Sequence, residues 1–307
     1  MIRVFIDGSA GTTGLRIADR LAAREDIRLI TLPEETRKDP AARHEALNSA
    51  DVCFLCLPDD AAREAVSMVE NPETVVIDTS TAHRVQEGWC YGLPELPGMR
   101  EKLVSAKRIA NPGCHATGFI VLAAPLVAAG FIAPDARLSC FSLTGYSGGG
   151  KKMIAQYEME GRDVLLDAPR LYGLTQKHKH LPEMAKWSGL QFPPVFSPIV
   201  APYYAGMEVV ISLTPDVCKG SVADLADVYK AAYPGGMIHF DPDADESGFL
   251  SAGAYAGRDD LSVSVYGGDE RSLAVTRFDN LGKGASGAAI QNMNIAFGLD
   301  EKTGLVI

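Results

Sequence analysis

The chain is short of basic residues. Its 307 residues hold 29 Lys and Arg against 39 Asp and Glu, a formal charge of −10. That balance argues against a nucleic-acid or anionic-membrane surface as partner. No basic leader precedes the first apolar run, so no export signal is expected and a cytoplasmic location is. No apolar run is long enough to span a bilayer, and the richest, 119–131, is broken by Pro125. Cysteines are few, at 53, 56, 90, 114, 140 and 218, and free thiols are the default in such a chain. Cys53-Phe54-Leu55-Cys56 lacks a second pair at zinc spacing and sits in an apolar stretch that reads as a buried strand. It is packing, and no metal is expected. No internal repeat, low-complexity tract or long linker interrupts the chain.

What is present is first a length that suits two domains, with an alternation in the first third. A β-rich run over 2–7 feeds Gly8-Ser9-Ala10-Gly11-Thr12-Thr13-Gly14, and a helical pattern follows through Leu15, Ala18, Leu21 and Ala22. Glycines between strand and helix let a phosphate approach the backbone N–H groups of the helix N-terminus. The same glycines also read as a tight turn with no ligand. Strands over 27–31, 51–57 and 74–78 then alternate with helices, one starting at Asp39-Pro40 and one over 59–69. Such alternation predicts an α/β fold with a doubly wound parallel sheet, its ligands at the carboxyl ends of the strands. Pro58 and the Thr79-Ser80-Thr81 turn occupy two of those ends, as cofactor contacts or as plain strand terminators.

The next signal is Asn111-Pro112-Gly113-Cys114, followed by the apolar run 119–127 and Gly130. The pattern is a buried helix with a glycine stop, which puts Cys114 at its N-terminus. The N–H groups and dipole there favour a thiolate, the reactive form of the side chain. A buried, inert thiol is the competing reading.

Beyond Cys114, strands over 138–144, 195–199, 208–214, 261–266 and 273–278 are no longer separated regularly by helices, so the second half reads as α+β with a mixed or antiparallel sheet. A helix over 221–233 is capped by Ser221 with Asp224 three residues on, and a last helix over 285–297 is expected to return to the first sheet, its apolar face on Ala289, Ile290, Met293, Ala296 and Phe297. Lys177-His178-Lys179-His180 offers imidazoles for acid/base work, for a metal, or merely a solvated loop. Gly145-Tyr146-Ser147-Gly148-Gly149-Gly150-Lys151-Lys152 is an anion-binding turn or a hairpin tip. Asn280-Leu281-Gly282-Lys283-Gly284 precedes the last helix, where it is placed to close over a cofactor.

Taken together these segments, with Tyr91-Gly92-Leu93-Pro94-Glu95-Leu96, Leu181-Pro182-Glu183 and Lys283-Gly284-Ala285-Ser286-Gly287, stand in family order. The chain resembles the shorter type of N-acetyl-gamma-glutamyl-phosphate reductase, related to aspartate-semialdehyde dehydrogenase, over essentially its whole length. The resemblance implies reduction of N-acetyl-L-glutamyl 5-phosphate through a Cys114 thioester, with NADP(H) as cofactor, in arginine biosynthesis. It implies His178 as proton carrier, and His180, Ser147 and Gly148 on the substrate. For the cofactor it implies Gly8, Ser9, Gly11, Thr12, Thr13, Gly14, Pro58, Ser80 and Asn292. It implies a Rossmann domain of 1–113 with 281–307, a catalytic and dimerisation domain of 114–280, and a homodimer or homotetramer. The same chemistry on aspartyl phosphate is the nearest alternative; a dinucleotide-binding module without turnover is another, and leaves Cys114 and His178 unused. Two departures stand out: the chain is shorter than the commoner form, and His115 follows the cysteine where tyrosine is frequent. For NADP over NAD, the second strand ends on uncharged Thr31, with Arg37 and Lys38 just beyond and Glu34 and Glu35 between.

Overall fold

The computed structural model describes residues 1–307. By internal contacts the chain divides into two compact units, Met1–Pro112 with Ala285–Leu305 and Gly113–Gly284 with Val306–Ile307.

In the first unit the order is β1 (Ile2–Asp7), α1 (Thr12–Ala22), β2 (Ile27–Ile30), α2 (Pro40–Ser49), β3 (Val52–Leu55), α3 (Asp59–Ser67), β4 (Val75–Asp78), β5 (Cys90–Tyr91), α4 (Met99–Ser105) and β6 (Arg108–Ala110). The strands form one parallel sheet in the order β2-β1-β3-β4-β6-β5. Central strands covered on both faces read as unbroken apolar runs; β3 is buried at every position. Each fully buried Phe or Leu there contributes about 1.5–3 kcal/mol. Asp39 caps α2 by accepting from the N–H of Ala41 and Ala42, with Pro40 at the first helical position.

The second unit runs α5 (Cys114–Ala128), β7 (Ser139–Gly145), α6 (Gly150–Glu158), β8 (Arg170–Leu171), α7 (Leu181–Ser188), β9 (Val195–Ala201), β10 (Met207–Leu213), α8 (Val222–Ala232), β11 (Ile238–Phe240), β12 (Leu261–Gly268) and β13 (Arg271–Phe278). Its sheet is mixed, in the order β11-β12-β13-β10-β7-β9-β8. α5 lies on this sheet, against β10 and β13. Gly118 makes that approach possible, since a Cβ there would sit 2.5 Å from the Val209 side chain. Pro125 costs α5 the N–H that would reach the Val121 carbonyl; the Tyr233 hydroxyl donates to that carbonyl instead, at 2.8 Å, and Tyr229 donates to Leu122 O at 2.7 Å.

The chain then re-enters the first unit as α9 (Gly287–Ala296), against α4, β4 and α1. Two expectations change here. The segment before α9 is a π turn, Gly282–Ser286, and Gly282 within it passes the Arg258 carbonyl too closely for any side chain. The expected apolar face is enclosed at Ala289, Ile290 and Met293 but not at its end. Ala296 and Phe297 are only half-buried, whereas Gln291, Asn292 and Asn294 are enclosed. Their amides find partners inside: Asn294 Nδ2 donates to the Thr303 carbonyl at 2.9 Å, and Arg24 Nη1 donates to Asn294 Oδ1 at 2.8 Å. A buried polar group with partners costs little.

Candidate active site

In the first unit the glycine turn sits between β1 and α1. Gly8 has φ +87°, a left-handed conformation, and its Cα faces the Cys56 carbonyl with no room for a Cβ. A Cβ on Gly14 would stand 2.5 Å from Gly8 O. These glycines bring the turn and the start of α1 together, and α1 carries no acidic residue in its first turn. Thr12 Oγ1 is enclosed and has no hydrogen-bond partner. The cavity beside the turn measures about 570 Å³ and is lined by Asp7, Gly8, Ser9, Ala10, Thr31, Glu34, Arg37, Lys38 and Arg43, among others. That volume and those donors fit a dinucleotide. Both charge signs after β2 reach the cavity: Glu34 accepts from Arg37 at 2.7 Å, which leaves Lys38 as the cation outside that pair. Burial pushes the Asp7 carboxyl up, and Arg43, 2.9 Å away, works against that rise.

The remaining cofactor candidates are less alike. Pro58 is the residue before α3, at the carboxyl end of β3. Ser80 turns inward: its hydroxyl donates to Asp78 Oδ2 at 2.7 Å and accepts from Ala82 N at 3.1 Å, so the turn offers backbone rather than a hydroxyl. Asn292 Nδ2 donates to Gly92 O at 2.9 Å and Asn111 Oδ1 at 3.1 Å, while its own Oδ1 is buried with no partner. An enclosed carbonyl oxygen without a donor suits an amide N–H brought by a ligand.

In the second unit Cys114 is the first residue of α5, after Gly113 in extended conformation. It is half-buried, whereas Cys53, Cys140 and Cys218 are enclosed, and burial pushes the Cys218 thiol up to about 11 and those of Cys53 and Cys140 further. Cys56 is also pushed up, to about 12. Gly113 N donates to Glu183 Oε1 at 2.8 Å, which ties the start of α5 to α7. That tie brings in the loop before α7, which carries His178 and His180. His115 stands beside both, with ring centroids 5.6 Å from each, and the two loop rings are 4.8 Å apart. His178 Nδ1 accepts from the N–H of His180 at 3.2 Å, so the proton of the neutral ring sits on Nε2. His178 is half-buried and His180 enclosed, at the residue preceding α7.

The glycine-rich segment after β7 is a 3-10 turn, Tyr146–Gly149, leading into α6, and Lys151 and Lys152 are exposed on that helix. Ser147 is enclosed and accepts from Asn280 Nδ2 at 2.9 Å; Gly148 stands beside Asn280 and Thr144. Asn280 is thus held in the second unit, and its Oδ1 also accepts from Gly206 N at 3.0 Å. A Cβ on Gly284 would be 2.9 Å from Cys114 Cβ, so this segment packs directly on the cysteine.

Two residues around the start of α5 carry no sequence reading of their own, Ser142 and Tyr172, both partners of His115. Glu183, in the first turn of a helix with proline beside it, had a legible helix-start signal. Ser142 and Tyr172 are isolated polar residues, one inside β7 and one just past β8, that only the tertiary fold brings to His115.

Matching family models are a semialdehyde dehydrogenase NAD binding domain over residues 3–106 and a semialdehyde dehydrogenase dimerisation domain over 114–280. The N-acetyl-gamma-glutamyl-phosphate reductase of Chelativorans sp. is 45% identical over 304 residues, covering 95% of this chain and 97% of that protein. N-acetyl-gamma-glutamyl-phosphate reductase 2 of Nostoc sp. is 44% identical over 318 residues, 99% of each. Aspartate semialdehyde dehydrogenase II of Vibrio cholerae, solved as a complex with ASA, superposes with a TM-score of 0.71 over 97% of this chain and 98% of that one. At 15% identity that likeness speaks for the fold. Near-full-length identity at this level, with both domains matched in order, makes the chain a member of the N-acetyl-gamma-glutamyl-phosphate reductase family of semialdehyde dehydrogenases.

Proposed function

We propose that this protein reduces N-acetyl-L-glutamyl 5-phosphate to N-acetyl-L-glutamate 5-semialdehyde and phosphate, within arginine biosynthesis. The observation that carries the reading is the placement of Cys114 at the start of a buried helix, half-exposed and tied through Glu183 to the imidazole-bearing loop. The Cys114 thiolate attacks the acyl phosphate carbonyl and phosphate leaves, forming a thioester on the enzyme. NADPH bound at the glycine turn of the first unit supplies the hydride. His178 Nε2, the protonated nitrogen of the neutral ring, moves the proton at the substrate oxygen as the thiohemiacetal forms and collapses. His180, held at the start of α7, orients substrate, with Ser147 and Gly148 on its other side. N–H groups at the start of α5 stabilise the developing oxyanion. In the first unit, Gly8, Ser9, Gly11, Thr12, Thr13 and Gly14 hold the pyrophosphate, with Pro58, Ser80 and Asn292 completing the site, and Arg37 and Lys38 favour the 2′-phosphate.

We infer a homodimer formed over the open face of the seven-stranded sheet. The face opposite α5 carries Phe141 and Val210 in register across β7 and β10, with Leu273 further along on β13. Phe141 and Leu273 are 42% and 43% exposed, and such a patch is partner-seeking surface. A family model described as a dimerisation domain covers the same strands. Light scattering behind size exclusion separates this from a tetramer. No helix is long and apolar enough to cross a membrane, and the six free cysteines suit the reducing cytoplasm, where we place the enzyme.

The test is NADP reduction with N-acetylglutamate semialdehyde, run with and without phosphate and beside aspartate semialdehyde. Phosphate-dependent reduction with the acetylated substrate is expected, and abolished by Cys114→Ala with NADPH binding kept. Preference for aspartate semialdehyde, or turnover by Cys114→Ala, overturns the reading.

A further inference from the structure

β8 is the edge of the seven-stranded sheet, with Arg170 opposite Val200 of β9 and Val200 beside Thr144 of β7. Side chains alternate between the two faces of a strand, and Ser142, two residues before Thr144, lies 2.7 Å from His115 Nδ1 of α5. The register therefore puts Arg170 on the face that carries α5 and Cys114. Tyr172, two residues further on, points the same way, its Oη 2.7 Å from His115 Nε2. The contacts of Arg170 agree. Its Nη2 donates to Tyr157 Oη at 3.1 Å, and Tyr157 packs with Val200 and stacks on Tyr146, ring centroids 4.7 Å apart. Tyr146 opens the 3-10 turn that carries Ser147 and Gly148. Arg170 is thus one ring away from the glycine turn and two residues from the tyrosine on His115.

A guanidinium carries five N–H donors. Arg162, which also donates to Tyr157, spends its own within the chain: Nε and Nη2 on Asp167 Oδ1 at 3.1 and 2.6 Å, and Nη1 on the Tyr157 carbonyl. Arg170 does not. Its one hydrogen bond is to Tyr157 and no carboxylate of the chain pairs with it; Nε is enclosed without an acceptor, and Nη1 also lacks one but is open. A half-buried charge without a counter-ion is costly, and the acceptor that answers it is an anion.

We infer that Arg170 binds the α-carboxylate of the substrate and so selects which acyl chains reach Cys114. The inference rests on the reaction proposed above. An acyl phosphate of this kind has two anionic ends. The phosphate leaves from the carbon that Cys114 attacks, whereas the α-carboxylate is four carbon–carbon bonds away, about 5 Å in an extended chain. Two residues of β8, about 6.6 Å, separate Arg170 from Tyr172, whose hydroxyl reaches the neighbour of Cys114. That offset suits the remote end of the substrate, and a guanidinium fork suits the two oxygens of a carboxylate.

The experiment compares N-acetylglutamate semialdehyde with its α-carboxamide in phosphate-dependent NADP reduction, using wild type, Arg170→Met and Arg170→Lys. Wild type should favour the acid over the amide by at least about tenfold, the worth of a hydrogen bond to a charged group. Arg170→Met keeps the length of the stem and removes the charge. It should raise KM for the acid by about 10–100-fold, with KM for phosphate and turnover of the amide little changed. Arg170→Lys keeps a cation and should retain part of the preference, which also serves if Arg170→Met fails to fold. A merely structural arginine would instead lower turnover of acid and amide alike. Equal use of the two by wild type, a preference kept in Arg170→Met, or a rise in KM for phosphate alone overturns the inference. The acid and amide are made for whichever semialdehyde wild type turns over. A wrong acyl chain in the reaction above therefore shows in wild type, and a wrong role for Arg170 in the acid–amide comparison.

Discussion

Replacing Gly14 by alanine sets local helix propensity against the close approach that builds the glycine turn. Gly14 is the third residue of α1, and glycine-to-alanine within a helix favours the folded state by about 1 kcal/mol. The new Cβ, however, would lie 2.5 Å from Gly8 O, 3.0 Å from Ser9 Cα and 3.1 Å from Gly8 C, where ordinary contacts begin at 3.4 Å. The atoms it meets are backbone, so relief requires the Gly8–Ser9 segment to retreat by about 1 Å. Overpacking of this kind costs about 1–3 kcal/mol, so a net loss of about 1 kcal/mol is expected. The functional loss should be larger. Gly8 is pinned on its other side by the Cys56 carbonyl, and a displaced turn no longer presents its N–H groups to a pyrophosphate. NADPH should bind at least about tenfold more weakly, corresponding to about 1.4 kcal/mol. Urea denaturation and fluorescence titration with NADPH measure the two effects. Gly11→Ala, whose Cβ meets Gly8 O at a milder 3.3 Å, should lose less stability than Gly14→Ala. A Gly14→Ala protein that is more stable than wild type and binds NADPH unchanged would refute the reasoning.

Cofactor choice is read by Arg37→Ala and Lys38→Ala: each should weaken NADPH by about tenfold, with NADH little changed, and Lys38→Ala should be the more severe because Glu34 already engages Arg37. Equal or tighter binding of NADH by wild type defeats the NADP assignment. His178→Asn should lower kcat by about 10²–10⁴, whereas His180→Asn should act chiefly on KM; the reverse pattern exchanges their roles. His115 links stability to pH. Its folded-state value is pushed down to about 3 from 6.5, so between those values the unfolded chain binds a proton that the native state does not. The stability is fully present above the unfolded value and is lost as pH falls, by up to about 1.4 kcal/mol per pH unit. His115→Gln should flatten the fall of the urea midpoint between pH 6.5 and 4.5; an unchanged slope counts against the buried neutral ring.

Local signals were enough for much of this protein. β1 and the cap of α2 could be read because a strand's apolar run, an Asp-Pro start and a glycine turn are written in neighbouring residues. Cys114 at a helix start was legible for the same reason, as was the capping box of α8. What surrounds Cys114 was not. Ser142, Tyr172 and Glu183 reach His115 and Gly113 from β7, from beyond β8 and from α7, and their partners lie 27, 57 and 70 residues away in the chain. α9 shows the same limit: its apolar spacing pointed to one buried stripe, yet Gln291, Asn292 and Asn294 are enclosed because partners for their amides arrive from elsewhere in the first unit. Periodicity reports which residues prefer to leave water, whereas a buried polar group is tolerated only by the hydrogen bonds that tertiary structure brings to it. For this chain the sequence alone marked the strand–helix alternation of the first unit and put Cys114 at a helix start, and tertiary structure decided which side chains stand around that residue.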